Sequence, residues 1–207
     1  KQNRYTGFLY RKFGTRANVN PNNAAGILPV NNFTSGRHDN AYKISGENIN
    51  MIYTPKHHTC TPCSILCGQK ASFTTTTSPV PEYETISLLG SNLGIFDVQS
   101  IAEWNNICGE LGLDTMSTGS TLGWVMEAYS KKLLDFDLNF GSPQGVSEAI
   151  YDIGYARGFG KEMGQGINHL TKNYGGEDFA IQVKGMEMAG YDPRGSYGQG
   201  LSYAVAN

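Results

Sequence analysis

Residues 60–67 read Cys-Thr-Pro-Cys-Ser-Ile-Leu-Cys and contain three of the four cysteines of the chain. Three thiolates at this spacing can reach a common centre, and thiolate-rich sites select iron–sulfur clusters or zinc. His57 and His58 lie just upstream of the segment, and either could complete a Cys3His zinc site. A cubane cluster takes four thiolates, and outside the segment the chain offers Cys108. The spacing therefore predicts a metal site and leaves both metals open, with chance spacing among buried cysteines as the non-functional alternative.

Other motifs surround this cysteine segment in a fixed order along the chain. They are FGTR (residues 13–16), LPVNNF (28–33) and ISGE (44–47) before it, and PEYET (81–85), LGSNLGI (89–95), LGLDTMSTG (111–119), VKGME (183–187) and YDPRG (191–195) after it. Several ordered motifs are together far more specific than any one of them. The series resembles the tungsten-containing aldehyde ferredoxin oxidoreductase family, and the resemblance runs over nearly the whole chain.

The resemblance implies a larger enzyme that oxidises aldehydes to carboxylic acids. Such an enzyme holds a tungsten (or molybdenum) bis-pterin cofactor beside a [4Fe–4S] cluster and passes electrons to ferredoxin. Its expected partners are ferredoxin, the aldehyde substrate, the remaining domains of the same enzyme and, in a homo-oligomer, further copies of the chain. We expect Lys1 to be an internal residue, because the chain has neither an initiator Met nor a signal segment. The isolated chain is then expected to be inactive.

The resemblance also implies roles for particular residues. Cys60, Cys63 and Cys67 become ligands of the cluster, whose fourth thiolate comes from a later domain. Cys108 becomes a buried residue of an apolar helix face, and the helical periodicity agrees with this. Glu84 becomes the active-site carboxylate, which orients the aldehyde and a water molecule or relays a proton. The alternative for Glu84 is an ordinary first-turn glutamate favoured by the helix dipole.

Gly109, Gly112, Leu113 and Asp114 occupy the place of the family's pterin-binding loop, usually written Asp-x-x-Gly-Leu-Asp/Cys. In such a loop a glycine lets backbone amides come close to the pterin, and a carboxylate accepts from its nitrogens. Gly109 replaces the first Asp of the pattern, which removes one acceptor. A helix C-cap at Gly112 is the structural alternative, and both roles are compatible.

Gln182 is a second departure from the pattern of the family, because family members with established aldehyde oxidation have His at this position as a proton donor. Gln can hydrogen-bond but does not titrate, so general acid–base catalysis is moved elsewhere or is absent. Lys184 and Arg194 are candidate contacts of the pterin or its phosphates, with solvated or salt-bridging roles as the alternative. Together the departures at 109 and 182 argue against an ordinary aldehyde as the substrate.

Composition and charge exclude several classes of function. The net charge is −2 and charged residues make up 16% of the chain, which does not favour binding to nucleic acid or to a membrane surface. No apolar run approaches the roughly 20 residues that span a bilayer. We therefore expect a cytoplasmic protein.

The helix signals predict a mainly α fold, a multihelical domain with long ordered loops as in the C-terminal domains of the family. Residues 1–207 are expected to form one α-helical domain, with 1–59 as a loop-rich lead-in and 60–207 as the part that contacts the cluster and the pterin. The local predictions are an ordered loop from Asn18 to Asn40, a strand-like run from Phe73 to Ser78, a helix from Asp97 to Gly112, a second capped by Ser117 or Thr118, a third opened by Ser142-Pro143, and a fourth carrying Met163, Ile167 and Leu170.

An alternative function from another class remains open at this point. The chain would then be a non-catalytic interaction module derived from the family, stabilised by zinc or free of metal. Iron and acid-labile sulfide distinguish the two functions, because the module contains neither.

Overall fold

Helices dominate the part of the chain that the computed structural model describes, residues 3–73 and 76–206. This confirms the predicted mainly α fold. Within those ranges, no helix is long and apolar enough to cross a membrane. The α-helices are α1 Tyr10–Phe13, α2 Val19–Ala25, α3 Gly46–Tyr53, α4 Tyr83–Leu88, α5 Val98–Leu111, α6 Thr115–Ser130, α7 Val146–Gly154, α8 Gly160–Met163, α9 Ile167–Tyr174 and α10 Tyr197–Val205.

Shorter elements connect these helices. A π-helical turn, Tyr5–Leu9, precedes α1. The described residues also contain four 3₁₀ turns farther along the chain: Thr15–Asn18, Asp39–Ile44, Ser91–Leu93 and Glu177–Phe179. The strands are β1 Lys56–His57, β2 Gln69–Phe73, β3 Thr76–Pro79, β4 Gln182–Val183 and β5 Met186–Glu187. They form an antiparallel sheet in the order β1-β2-β3 and an antiparallel hairpin of β4 with β5.

Helix α6 lies at the centre of the fold and is buried from Thr118 to Ala128. It packs against α4. Gly119 permits this contact, because a Cβ at that position would lie 2.5 Å from the carbonyl oxygen of Leu88. The backbone at the C-terminal end of α4 therefore rests directly on α6.

Helix α5 matches its prediction at both ends. The Asp97 carboxylate accepts from the backbone N–H of Ser100 at 2.9 Å, as an N-cap should. Gly112 ends the helix with φ +70°, a left-handed conformation that glycine adopts without strain. Trp104 and Ile107 are buried on one face of α5, and the helix packs against α7.

Three local predictions between residues 18 and 118 need correction: two are wrong, and the strand-like run is right in kind but belongs to two strands. The loop predicted from Asn18 to Asn40 contains α2, whose early turn tolerates Pro21. The strand-like run from 73 to 78 belongs to two antiparallel strands, with Phe73 opposite Thr76, and its Thr74 and Thr75 lie outside the described residues. Helix α6 is capped by Asp114, which accepts from Ser117 N–H at 2.7 Å, and not by Ser117 or Thr118. Since Asp and Ser are both strong N-cap residues, the sequence alone did not separate them.

Two further predictions are wrong in the second half. The third helix, α7, begins at Val146 and not at Ser142-Pro143, because Gly145 has φ +80°. The predicted fourth helix is two helices, α8 and α9, separated at Gly166, which has φ +81°. The Ile167 N–H that opens α9 donates to the Glu187 carboxylate at 2.9 Å, so the side chain of a distant strand satisfies this helix end.

Candidate functional site

Two paired strands carry the cysteine segment. β1 and β2 lie antiparallel with His57 opposite Gln69, and the His58 N–H donates to the Gly68 carbonyl at 3.0 Å. Gly68 is required there, because a Cβ would lie 2.5 Å from the His58 carbonyl oxygen. The loop between the strands brings all three cysteines to the wall of one cavity of about 480 Å³, which we call the cysteine cavity: Cys60, Cys63 and Cys67, with Pro79, Glu82 and Asn105 among its other lining residues.

The thiols of the segment differ in their surroundings. The backbone N–H groups of Leu66 and Ile65 lower the pKa of the Cys63 thiol, which favours the metal-binding thiolate. Burial, and after it the nearby Glu82 carboxylate, raises the pKa of the Cys67 thiol. The surroundings of Cys63 therefore favour its thiolate form, whereas those of Cys67 favour its thiol form.

The positions of the possible donors bear on both candidate metal centres. Among residues 3–73 and 76–206, no three His, Cys, Asp or Glu side chains lie close enough together to hold one metal ion. His57 instead forms a hydrogen bond from Nδ1 to the Leu66 carbonyl at 3.1 Å. Zinc needs its donors within about 2.0–2.3 Å of one atom, whereas a cubane takes thiolates at separate iron corners. Three cysteines on the wall of one cavity are a donor set that would fit a cluster completed by one further thiolate.

Cys108 lies apart from the cysteine segment, fully buried on α5. Burial raises the pKa of its thiol to about 11, although a hydrogen bond with Thr118 opposes the shift. A buried thiol with a raised pKa is a poor metal ligand. The geometry agrees with the expectation that Cys108 is a packing residue.

Glu84 lies in the first turn of α4 and holds the backbone of a distant segment. Its Oε2 accepts from the Gly190 N–H at 2.7 Å, and the neighbouring Tyr83 hydroxyl donates to the Gly190 carbonyl at 2.7 Å. A Cβ at position 190 would lie 2.0 Å from Ser87 Oγ, so glycine is needed there. Burial raises the pKa of Glu84, the Gly190 N–H lowers it, and Asp114 raises it further.

The predicted pterin loop joins the end of α5 to the start of α6. Gly112 forms the C-cap, the Leu113 N–H donates to the Cys108 carbonyl at 2.8 Å, and Asp114 forms the N-cap. The first turns of α4 and α6 are tied together by a 2.9 Å hydrogen bond between the hydroxyls of Thr85 and Thr115. The structure therefore places Asp114 beside Glu84.

Gly109 faces open space, since a Cβ there would meet nothing within 4 Å. With Leu113 and Thr115 it lines a groove of about 600 Å³, called here the loop groove. Pro79 and Asn105 line both this groove and the cysteine cavity. The two candidate cofactor positions are therefore neighbours that share a wall.

Comparison with known proteins identifies the family. The sequence profile described as "Aldehyde ferredoxin oxidoreductase, domains 2 & 3" matches residues 1–207. The chain belongs to the aldehyde ferredoxin oxidoreductase family. It is 40% identical over 204 residues to the "Tungsten-containing aldehyde ferredoxin oxidoreductase" of Pyrococcus furiosus, covering 95% of this chain and 34% of that protein. The protein of the same description from Thermococcus kodakarensis is 39% identical over the same coverage.

A more distant relative has a different description. The "Aliphatic sulfonate oxidoreductase, WOR-like subunit" of Pyrococcus furiosus is 29% identical over 198 residues, 86% of this chain and 31% of that protein. These relatives are oxidoreductases by description, and the chain spans about a third of their length.

In this member of the aldehyde ferredoxin oxidoreductase family, Gln182 and Lys184 lie on the β4–β5 hairpin. Lys184 and Gly185 occupy the turn with φ +55° and +85°, as a two-residue hairpin turn requires. Gln182 Oε1 accepts from the Gly185 N–H at 2.7 Å, so its amide is engaged locally. The hydrogen bonds of the described residues do not connect Gln182 with Glu84.

Arg194 is held by an acidic neighbour two residues away. Its guanidinium lies 2.6 Å from Asp192, which raises the pKa of Arg194, and it also donates to the Phe33 carbonyl. The side chain is 66% exposed, while Asp192 is buried. This salt-bridging arrangement matches the alternative role given to Arg194.

Gly190, Tyr191 and Arg16 have contacts at the site that their sequence motifs do not predict. Gly190 contacts the active-site candidate Glu84, the Tyr191 ring packs 4.8 Å from the Tyr83 ring, and Arg16 is fully buried near Cys67. The motif series contained Arg16 and Tyr191, but nothing in it showed their partners. A glycine whose N–H is the functional group gives no side-chain signal at all.

Proposed function

We propose that the chain is the cluster- and pterin-contacting part of an enzyme that oxidises aldehydes to carboxylic acids and passes the electrons to ferredoxin. The observation that carries the proposal is the shared wall of Pro79 and Asn105 between the cysteine cavity and the loop groove. Membership of the family supports it. When bound, a tungsten bis-pterin supplies the two-electron oxidation and a [4Fe–4S] cluster the one-electron transfers.

The proposal gives each group of residues a binding task. Cys60, Cys63 and Cys67 hold the cluster, with a fourth thiolate from another part of the enzyme. Gly109, Gly112, Leu113 and Asp114 face the pterin, where exposed backbone at the glycines permits close contact. Lys184 and Arg194 are assigned to the same cofactor as peripheral cations, although Arg194 already has Asp192 as its partner.

Glu84 acts on the substrate. Conversion of an aldehyde and water to an acid releases protons, and a carboxylate with a raised pKa is a better proton acceptor than an ordinary glutamate. The Gly190 N–H fixes Oε2, which leaves Oε1 for the proton or for a water molecule. Asp114 supplies a negative charge nearby that favours the protonated form.

The chain by itself is proposed to be inactive, because a second pterin loop and the fourth thiolate lie elsewhere in the enzyme. The interpretation of residues 1–207 as one α-helical domain stays a prediction. A zinc-stabilised module is the competing function, and membership of the enzyme family favours the oxidoreductase over it.

The test uses the enzyme that contains this chain, purified anaerobically from cells supplied with tungstate. Aldehyde-dependent reduction of benzyl viologen is measured for the parent, Glu84→Gln and Glu148→Gln. Glu148 is an exposed carboxylate on α7 and serves as the matched control. We expect Glu84→Gln to lower kcat by roughly 10²–10⁴-fold and Glu148→Gln to leave it unchanged. Equal kcat in all three proteins, or no turnover by the metal-loaded parent, contradicts the proposal.

A further inference from the structure

Arg16 is a fully buried cation beside the cysteine segment, with 0% of its side chain exposed. Its Nη2 donates to Gln69 Oε1, and its electrostatic partners are Glu82 and Cys67. All three of these neighbours line the cysteine cavity. The guanidinium therefore lies directly behind the cavity wall.

The local backbone makes room for this cation. Gly14 has φ +66°, and a Cβ there would lie 2.4 Å from Arg16 Nη1 and 3.2 Å from the Cys67 carbonyl oxygen. The guanidinium thus occupies space beside the Cys67 backbone that a larger residue at 14 would take. Thr15 fixes the segment, since its hydroxyl donates to Glu82 and accepts from the Tyr83 N–H at 2.9 Å.

The charge of Arg16 is only partly compensated. Burial lowers the pKa of Arg16 to about 10 against the opposing effect of Glu82, so the side chain is still protonated at neutral pH. Among the described residues, neither its Nε nor its Nη1 has a hydrogen-bond partner. A buried cation with unsatisfied donors is costly unless something negative is bound nearby. Glu82 is itself engaged by Thr15.

We propose that Arg16 is a positioning residue for the iron–sulfur cluster, a fixed positive charge behind Cys67 that raises the reduction potential of the cluster. The inference rests on the proposed function, since it needs a cluster on Cys60, Cys63 and Cys67. Reduction adds one electron, taken from the oxidised substrate and later passed to ferredoxin, and so makes the cluster more negative. A nearby cation stabilises the more negative form most, and net charge is an established determinant of cluster potential.

The experiment compares four versions of the enzyme that contains this chain: the parent, Arg16→Met, Arg16→Lys and Glu82→Gln. Iron and acid-labile sulfide are measured first, and then the midpoint potential by redox titration followed by electron paramagnetic resonance. We expect Arg16→Met to shift the potential to a more negative value and Glu82→Gln to a more positive one. Arg16→Lys keeps the charge and should stay near the parent.

The outcomes separate the inference from the function on which it rests. A parent without iron and sulfide overturns both. If the parent contains a cluster and its midpoint potential is unchanged in both Arg16→Met and Glu82→Gln, the inference alone is overturned. Arg16 is then a structural residue. If Arg16→Met does not fold, the other two variants test the inference. It fails if Glu82→Gln leaves the midpoint potential of the cluster unchanged, or if Arg16→Lys shifts that potential strongly to negative values.

Discussion

Glu84 and Gly190 are 106 residues apart in the chain and are joined by a 2.7 Å hydrogen bond from the Gly190 N–H to Glu84 Oε2. The Tyr83 hydroxyl donates a hydrogen bond to the carbonyl oxygen of the same glycine. Two consecutive residues of α4 thus hold one peptide segment from both sides. This arrangement orients the carboxyl proposed to act on the substrate and ties the segment after β5 to the first turn of α4.

The raised pKa of Glu84 predicts a particular pH dependence of stability. Because the folded pKa lies above the unfolded one, the folded protein binds more protons between the two values, and its stability falls as pH rises through that window. Removing the charge with Glu84→Gln should abolish this component, so the variant loses less stability than the parent as the pH rises above the ordinary glutamate pKa of 4.5. Thermal unfolding over this range checks it, with Glu148→Gln as the control. Parallel curves for the parent and Glu84→Gln would contradict the assignment.

Gly119 and Gly109 should respond in opposite directions to the same substitution. Gly119→Ala forces a methyl group against the Leu88 backbone at 2.5 Å and should destabilise the fold by about 1–3 kcal/mol. Gly109→Ala meets nothing within 4 Å and replaces a glycine inside a helix, so a gain of about 0.5–1 kcal/mol is expected. Urea unfolding midpoints measure both. A neutral Gly119→Ala would show that α4 does not rest on α6 as described.

Cys108→Ala should cost stability without affecting metal content. The side chain is fully buried on α5, and loss of a small buried group costs on the order of 1 kcal/mol. Iron and sulfide should stay at the parent level, whereas Cys63→Ser should remove most of both. Loss of the cluster in Cys108→Ala would make Cys108 the missing fourth ligand.

Gln182→His tests whether the departure at this position weakens catalysis. If His normally donates a proton here, the variant should raise kcat by up to about 10²-fold and introduce a pH dependence near 6.5, with KM nearly unchanged. Gln182→Met is the control, since it removes the bond to Gly185 without adding a titrating group. Unchanged kcat and a flat pH profile across a panel of aldehydes would instead favour a site adapted to a different substrate.

The sequence was sufficient where one residue type dominates the local choice. Asp97 and Gly112 marked both ends of α5, and the cysteine spacing anticipated that three thiols would share one cavity. It failed where two residues compete for one role, as with Asp114 and Ser117 at the start of α6. It also failed where a backbone conformation decides, as with the positive φ of Gly166 that separates α8 from α9.

The residues of the candidate site were also predictable only in part from the sequence. Glu84 and the loop from Gly109 to Asp114 came from motifs, and the structure brings them together through the contact of α4 with α6. Arg16 and Gly190 depend on contacts between segments far apart in the chain, which no local pattern encodes. Periodicity and spacing reveal what a residue is suited to do, but only tertiary packing reveals which residues it meets.

The central claim is that the cysteine cavity holds an iron–sulfur cluster beside a tungsten cofactor. The most direct measurement is the content of iron, acid-labile sulfide, tungsten and zinc per chain in the anaerobically purified enzyme, for the parent and Cys63→Ser. We predict about four iron and four sulfide with one tungsten in the parent, and loss of iron and sulfide with tungsten retained in Cys63→Ser. One zinc per chain without iron or sulfide, or iron content unaffected by Cys63→Ser, would contradict the claim.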